Sequence, residues 1–150
     1  MENSEYKMDN DLFKKEIDLI MEVIKRMASN SFLVKGWMGS LVLGAVVLGK
    51  SGGGVGLEKL LIAIIPLITF WIMDAYFLKQ ERLFRKLYNW VIIERPKSKE
   101  LMFDMNVGRF INEVPSIPKI MFSQTLFVFY GITFLLIMIY MAFLFSKGQL

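Results

Sequence analysis

Two charged residues interrupt apolar segments, and they are the side chains best placed to do chemistry. Lys35 lies near the start of one apolar segment, and Asp74 lies near the end of the next. A charge inside a membrane-length segment is costly, so such residues tend to pair with one another or to line a water path. Two interpretations follow. The residues form an ion pair that locks two helices together, or they stand at a pore mouth or ligand-sensitive gate.

The spacing of these charges predicts a helical hairpin. Gly52–Gly54 form a flexible turn, and Lys35 and Asp74 lie nineteen and twenty residues from its last glycine. Antiparallel helices would therefore bring the two charges to matching depth. Trp37 and Trp71 match in the same way, and we expect them to anchor the helices at a membrane–water interface.

The composition is that of a membrane protein. Of the 150 residues, 55% are hydrophobic, and the mean hydropathy is +0.46. Three stretches have the roughly 20 apolar residues that a bilayer core requires. We predict an all-α integral membrane protein with spans at 31–50, 58–79 and 119–146. The absence of Cys and His excludes a disulfide-stapled secreted domain and a Cys/His zinc site.

The positive charges predict an orientation. Fifteen of the 18 Lys and Arg residues lie before or just inside the first span, or between the second and third spans. The remaining three are Lys50, Lys59 and Lys147. The positive-inside rule then predicts that the N-terminus and the middle segment are cytoplasmic and that the C-terminus is outside. This bias accounts for the basic isoelectric point without nucleic acid as a partner.

The cytoplasmic segments are predicted to be helical and packed together. Residues 9–29 carry an apolar face at alternating spacings of four and three residues, and 80–95 continue the second span with a similar face. The alternative, a helix lying in the headgroup layer, is disfavoured by the Glu and Asp residues on the polar face. Arg95-Pro96 ends the second helix, and 96–118 form a connector with a short helix or turn around Met105–Ile111.

Small residues recur every four positions on the first span, at Gly36, Ser40 and Gly44. Such a face lets helix backbones approach closely. It would contact either the second span of the same chain or another copy of the protein, and the spacing alone does not separate these alternatives.

A nucleotide-binding pattern is present but is interpreted as coincidental. Residues 44–51 read GAVVLGKS, which matches the phosphate-binding GxxxxGK[ST] pattern. That chemistry needs a strand, a loop and then a helix that starts at Lys-Ser, whereas glycines follow here. No other catalytic constellation stands out, so we expect no enzyme activity, no cofactor and no metal.

The chain resembles a family of small bacterial multi-span membrane proteins through two patterns, NSFxxKGW at 30–37 and FWxxDxYFLxQERxFRxLY at 70–88. Its layout of cytoplasmic helix, membrane hairpin and cytoplasmic helix is similar to that of SLATT-type effectors of phage defence. The resemblance directs attention to a polar belt, one turn on the cytoplasmic side of Lys35 and Asp74. The belt comprises Arg26, Asn30, Gln80, Glu81, Arg82 and Arg85.

Three functions agree with these features. The first is a self-associating, pore-forming effector that permeabilises or disturbs the membrane in defence or toxicity when a cytosolic partner triggers it. The second is a non-catalytic membrane anchor or accessory subunit for a soluble partner. The third, an intramembrane enzyme, requires one indispensable polar side chain, and nothing in the sequence singles that residue out.

Overall fold

The computed structural model describes residues 9–49, 57–98 and 100–147, and these form an all-helical fold. Helix α1 runs from Asn10–Gly49 and α2 from Leu57–Glu94. A 3₁₀ helix at Gly108–Glu113, a short α3 at Ile117–Met121 and a long α4 at Gln124–Ser146 follow. The described residues contain no strand, and the prediction of an all-α fold is confirmed. The predicted glycine turn at 52–54 and Lys50 lie outside the described residues.

Helices α1 and α2 form a long antiparallel pair that extends well beyond the apolar segments. The Asp9 carboxylate caps α1 by accepting the backbone N–H groups of Asp11 and Leu12 at 3.0 and 3.2 Å. Apolar residues at helical spacing form the core between the two helices. Those buried on the facing surfaces include Ile20, Ile24, Val34, Met38, Leu67, Leu83, Leu87 and Val91.

The third long helix begins later than the sequence suggested. The predicted span starts at 119, whereas α3 ends at Met121 and α4 starts at Gln124. Between them the N–H of Ser123 donates to the Ile120 carbonyl at 2.9 Å, a tight turn that interrupts the helical ladder. No Pro or Gly lies between Met121 and Gln124 to mark this break in the sequence.

Large apolar side chains are exposed on all three long helices. In the described part of the chain, one helix is long and apolar enough to cross a membrane, Gln124–Phe143, and 17% of its most apolar window is buried. A helix that is apolar on every side is typical of a protein interior or a bilayer. Exposed apolar residues also continue along α1 and α2, among them Phe32, Leu33, Trp37, Leu43, Ile65, Ile68 and Ile72.

Candidate functional site

Asp74 lies where α1, α2 and α4 meet, and its side chain is fully buried. The Lys35 ammonium is 2.5 Å from Asp74 Oδ2. Ser31 Oγ donates a hydrogen bond to Asp74 Oδ1, and the Tyr130 hydroxyl donates to Asp74 Oδ2 at 3.1 Å. The structure therefore brings together the two charges that the sequence singled out and adds hydroxyl groups from α1 and α4.

The two members of the ion pair differ in burial. The Lys35 side chain retains 23% of its exposure, whereas Asp74 retains none. Lys35 also donates to Ser31 Oγ at 2.9 Å and lies 5.9 Å from the centre of the Phe129 ring. Burying a carboxylate is costly unless it is paired and hydrogen-bonded, and these contacts offset that cost for Asp74. Since they come from α1 and α4, Asp74 on α2 connects three helices.

Trp71 on α2 connects the Asp74 site to α3 and α4. Its indole N–H donates to the Met121 carbonyl at 3.0 Å, and its ring stacks on Tyr130 at 5.7 Å between centroids. The carbonyl is available because α3 ends at Met121. The sequence paired Trp71 with Trp37 as two interface anchors. Trp37 is indeed 65% exposed, but Trp71 packs between helices.

The predicted polar belt does not join the helices. Glu81 accepts from Arg85 one turn along α2, with 2.8 Å between Arg85 Nε and Glu81 Oε1. Arg26, Asn30, Gln80 and Arg82 make no side-chain hydrogen bond or ion pair to any described residue. The helices at this depth are held by apolar packing, with Leu83 buried.

The small-residue face of α1 points away from α2. Gly36, Ser40 and Gly44 are exposed, and a Cβ added at either glycine would meet no atom within 4 Å. Among the described residues, α2 therefore does not pack on this face. The face that packs on α2 instead carries Val34 and Met38, which are larger side chains.

A second ion pair, which sequence reasoning missed, lies where α1 begins and α2 ends. Glu16 on α1 and Arg95, just after α2, are each 1% exposed. Arg95 Nε and Nη2 donate to the two Glu16 carboxylate oxygens, each at 2.6 Å. This bidentate geometry is the strongest form of the interaction, because two parallel charge-assisted bonds share one orientation.

Arg95 also organises the start of the connector. Its guanidinium donates to the carbonyls of Ser98, Glu100 and Leu101 at 3.3, 2.5 and 3.0 Å. The backbone N–H of Phe103 donates to Glu16 Oε1 at 3.0 Å. Leu101 and Phe103 have φ angles of 58° and 60°. These left-handed conformations are costly for residues with a side chain, and the Glu16–Arg95 contacts hold them in place. We call Glu16, Arg95, Ser98 and residues 100–103 the latch.

A sequence signal for the latch did exist. Glu16 lies one turn before Ile20, on the apolar face that includes Phe13 and Ile17. An acidic residue on such a face requires a buried partner. The sequence does not say which of the many Lys and Arg residues is that partner.

The described residues were expected to hold no metal or nucleotide, and two observations bear on that expectation. Groups of three or more potential metal ligands are absent from the described residues. The backbone of 44–49 is helical throughout, so the phosphate-binding pattern lacks its loop in that part of the chain. Lys50 and Ser51 lie outside the described residues.

Comparison of the chain with protein-family models, curated proteins and solved structures gave no significant match.

Proposed function

We propose that this chain is a bacterial inner-membrane effector that self-associates and permeabilises or disturbs the membrane in defence or toxicity when a cytosolic partner triggers it. The observation that carries the proposal is the Lys35–Asp74 ion pair, sealed between three helices by Tyr130 and Ser31. In this proposal all three long helices span the membrane. The N-terminus and connector are cytoplasmic, and the C-terminus is outside.

The distribution of exposed apolar side chains supports a three-span arrangement. Tyr130 on α4 bonds to Asp74, so the apolar part of α4 packs on that of α2, which in turn packs on α1. Exposed Phe, Leu, Ile and Trp side chains line all three helices over this length. A surface of this kind is stable against lipid and unfavourable against water.

The two ion pairs suggest how a cytosolic signal would reach the membrane. The latch joins α1, α2 and the connector outside the apolar layer. The Asp74 cluster, which comprises Ser31, Lys35, Asp74 and Tyr130, joins the same two helices to α4 at the edge of the apolar layer. Since α1 and α2 run unbroken between these points, a partner that separates their outer ends would pull on the Asp74 cluster. The closed contact would then open toward a water path.

The exposed face formed by Gly36, Ser40 and Gly44 supports self-association. Each copy has room for close backbone approach there, because an added Cβ at Gly36 or Gly44 meets no atom of the described residues within 4 Å. Small-xxx-small faces of this kind drive helix packing in membranes. In this proposal α1 is the helix through which copies meet.

A voltage-sensitive dye in bacteria induced to express the chain, alone and with its genomic neighbours, tests the proposal. We expect rapid depolarisation that Gly36→Leu abolishes, because a leucine prevents close approach of two α1 helices. Gly131→Leu is the matched control, since a Cβ at this α4 glycine also meets no atom within 4 Å. Sustained potential and normal growth in both conditions, with the protein present in the membrane fraction, would contradict the effector proposal.

The second candidate, a membrane anchor for a soluble partner, is favoured by apolar side chains near the latch. Ile92, Ile93, Leu101, Phe103 and Ile111 are all exposed outside the long apolar stretches. Exposed apolar groups clustered on a water-facing part of a protein mark interaction sites. An anchor predicts unchanged membrane potential and a stable complex with the partner.

A further inference from the structure

Several cationic side chains of the described residues are engaged by acidic groups: Lys86 by Glu113 at 3.1 Å, Arg95 by Glu16 at 2.6 Å, and Lys97 by Glu94 at 2.9 Å. Lys14 and Lys15 near the start of α1 and Lys147 after α4 form no ion pair with a described residue. A further group, near the edge of the apolar layer, makes no hydrogen bond or ion pair to any described residue. We call this group the cationic belt, and it comprises Lys25, Arg26, Lys79, Arg82 and Lys119.

The belt lies at one depth. Arg26 precedes Ser31 by five residues and Lys79 follows Asp74 by five, about 8 Å along each helix at 1.5 Å per residue. Arg82 lies about 12 Å beyond Asp74 on the same scale. Lys119 comes five residues before Gln124, where the apolar part of α4 begins. The belt is therefore within roughly two helical turns of the edge of the apolar layer.

Carboxylates do not neutralise this region from within the described chain. Asp74 is held by Lys35, and Glu81 is held by Arg85. On α1 the nearest other carboxylate is that of Glu22, about one turn farther from the apolar layer, and it forms no ion pair with a described residue. The belt therefore has a surplus of positive charge directed at its surroundings.

At the edge of a bilayer, the abundant counter-charge for Lys and Arg is the phosphate of the lipid headgroups. Lys and Arg side chains near an anionic membrane surface are attracted to its lipid headgroups. Exposed aromatic residues lie at the edge of the apolar layer. Phe32 and Tyr76 are near Ser31 and Asp74 in the chain, and Phe122 lies between α3 and α4. Basic residues beside such a rim, on helices whose apolar side chains are exposed, fit a phospholipid headgroup layer.

We infer that the cationic belt binds the headgroups of anionic phospholipids, and that these lipids stabilise the assembled helices more than zwitterionic lipids do. The inference rests on the proposed membrane placement. The ligand is the phosphate-bearing headgroup of a bilayer lipid.

The placement is tested first, by flotation of the purified chain reconstituted into phosphatidylcholine vesicles. We expect the chain to float with them and to resist carbonate extraction. Failure here would overturn the membrane placement and the inference together. Flotation with phosphatidylcholine, followed by no selectivity for anionic lipid, would overturn the inference alone.

Selectivity is then measured as the Tm of the full chain in neutral detergent with phosphatidylglycerol or phosphatidylcholine of the same chain length. We expect phosphatidylglycerol to give the larger rise, with high salt reducing the difference. Inorganic phosphate at the same concentration should leave the Tm unchanged. An equal rise with both lipids, or with free phosphate, would overturn the inference.

Two matched variants assign the effect to the belt. K25Q/R26Q and K14Q/K15Q each remove two exposed, unpaired charges from α1, at positions about 16 Å apart along the helix. We expect the first to lose a substantial part of the lipid-dependent rise and the second to keep it, with both unchanged in phosphatidylcholine. Equal losses would show that net charge alone is responsible, and would overturn the assignment.

Discussion

Lys35→Ala is expected to lower the free energy of unfolding by about 3–5 kcal/mol, because it leaves the Asp74 carboxylate buried without its counter-charge. Asp74→Ala should cost less, since the Lys35 side chain keeps 23% of its exposure and its ammonium can turn toward water. Unfolding of the reconstituted protein by denaturing detergent, followed by the loss of helical circular dichroism, measures both values. The asymmetry between the two variants is itself part of the expectation.

The charge-swapped variant Lys35→Asp/Asp74→Lys separates pairing from other losses. If the ion pair holds the helices, the double variant should recover much of the stability that the single variants lose. An exposed pair provides the control: Glu81 and Arg85 are 2.8 Å apart, with Arg85 62% exposed, and their removal should cost less than about 1 kcal/mol. A swapped variant no better than the single variants would refute the pairing.

Arg95→Ala is expected to cost about as much as Lys35→Ala, because it strands Glu16 in a site where both side chains are 1% exposed. It also removes the donor to three connector carbonyls. Arg95→Lys should not restore stability, since a single ammonium cannot make the two-pronged contact with Glu16. Detergent unfolding measures the cost of each variant.

The latch should also control the conformation of the connector. Once Arg95 is removed, Leu101 and Phe103 lose the bonds that hold their left-handed backbone, and chymotrypsin should cut next to them faster. Lys97→Ala is the control, because Lys97 lies two residues from Arg95 and its only ion pair with a described residue is an exposed contact with Glu94. Equal cleavage of the Arg95→Ala and Lys97→Ala proteins would mean that the latch does not restrain the connector.

The first ion pair could be predicted because two independent regularities agreed. A turn predicted at Gly52–Gly54 gave a register for two antiparallel helices, and Lys35 and Asp74 lie nineteen and twenty residues from its last glycine. The small-residue face could not be assigned in the same way. Which side of α1 faces α2 depends on how the helices cross, and the spacing of Gly36, Ser40 and Gly44 describes a face without saying what it meets.

Contacts that depend on the connector lay beyond sequence reasoning. Tyr130 reaches Asp74 because the chain turns at 122–123 before α4 starts, and no residue in this apolar run signals that turn. Glu16 and Arg95 are 79 residues apart. Their pairing follows from the lengths of two continuous helices, which patterning locates only to within a few residues.

Site-specific labelling of single-cysteine variants tests the three-span arrangement most directly, and the chain has no Cys to remove first. We would place cysteines at Asp11, Lys97 and Ser146, all of them exposed. A membrane-impermeant maleimide should label Ser146→Cys in intact spheroplasts, and Asp11→Cys and Lys97→Cys only in inside-out vesicles. Labelling of all three variants from the same side would contradict the arrangement on which the proposed function depends.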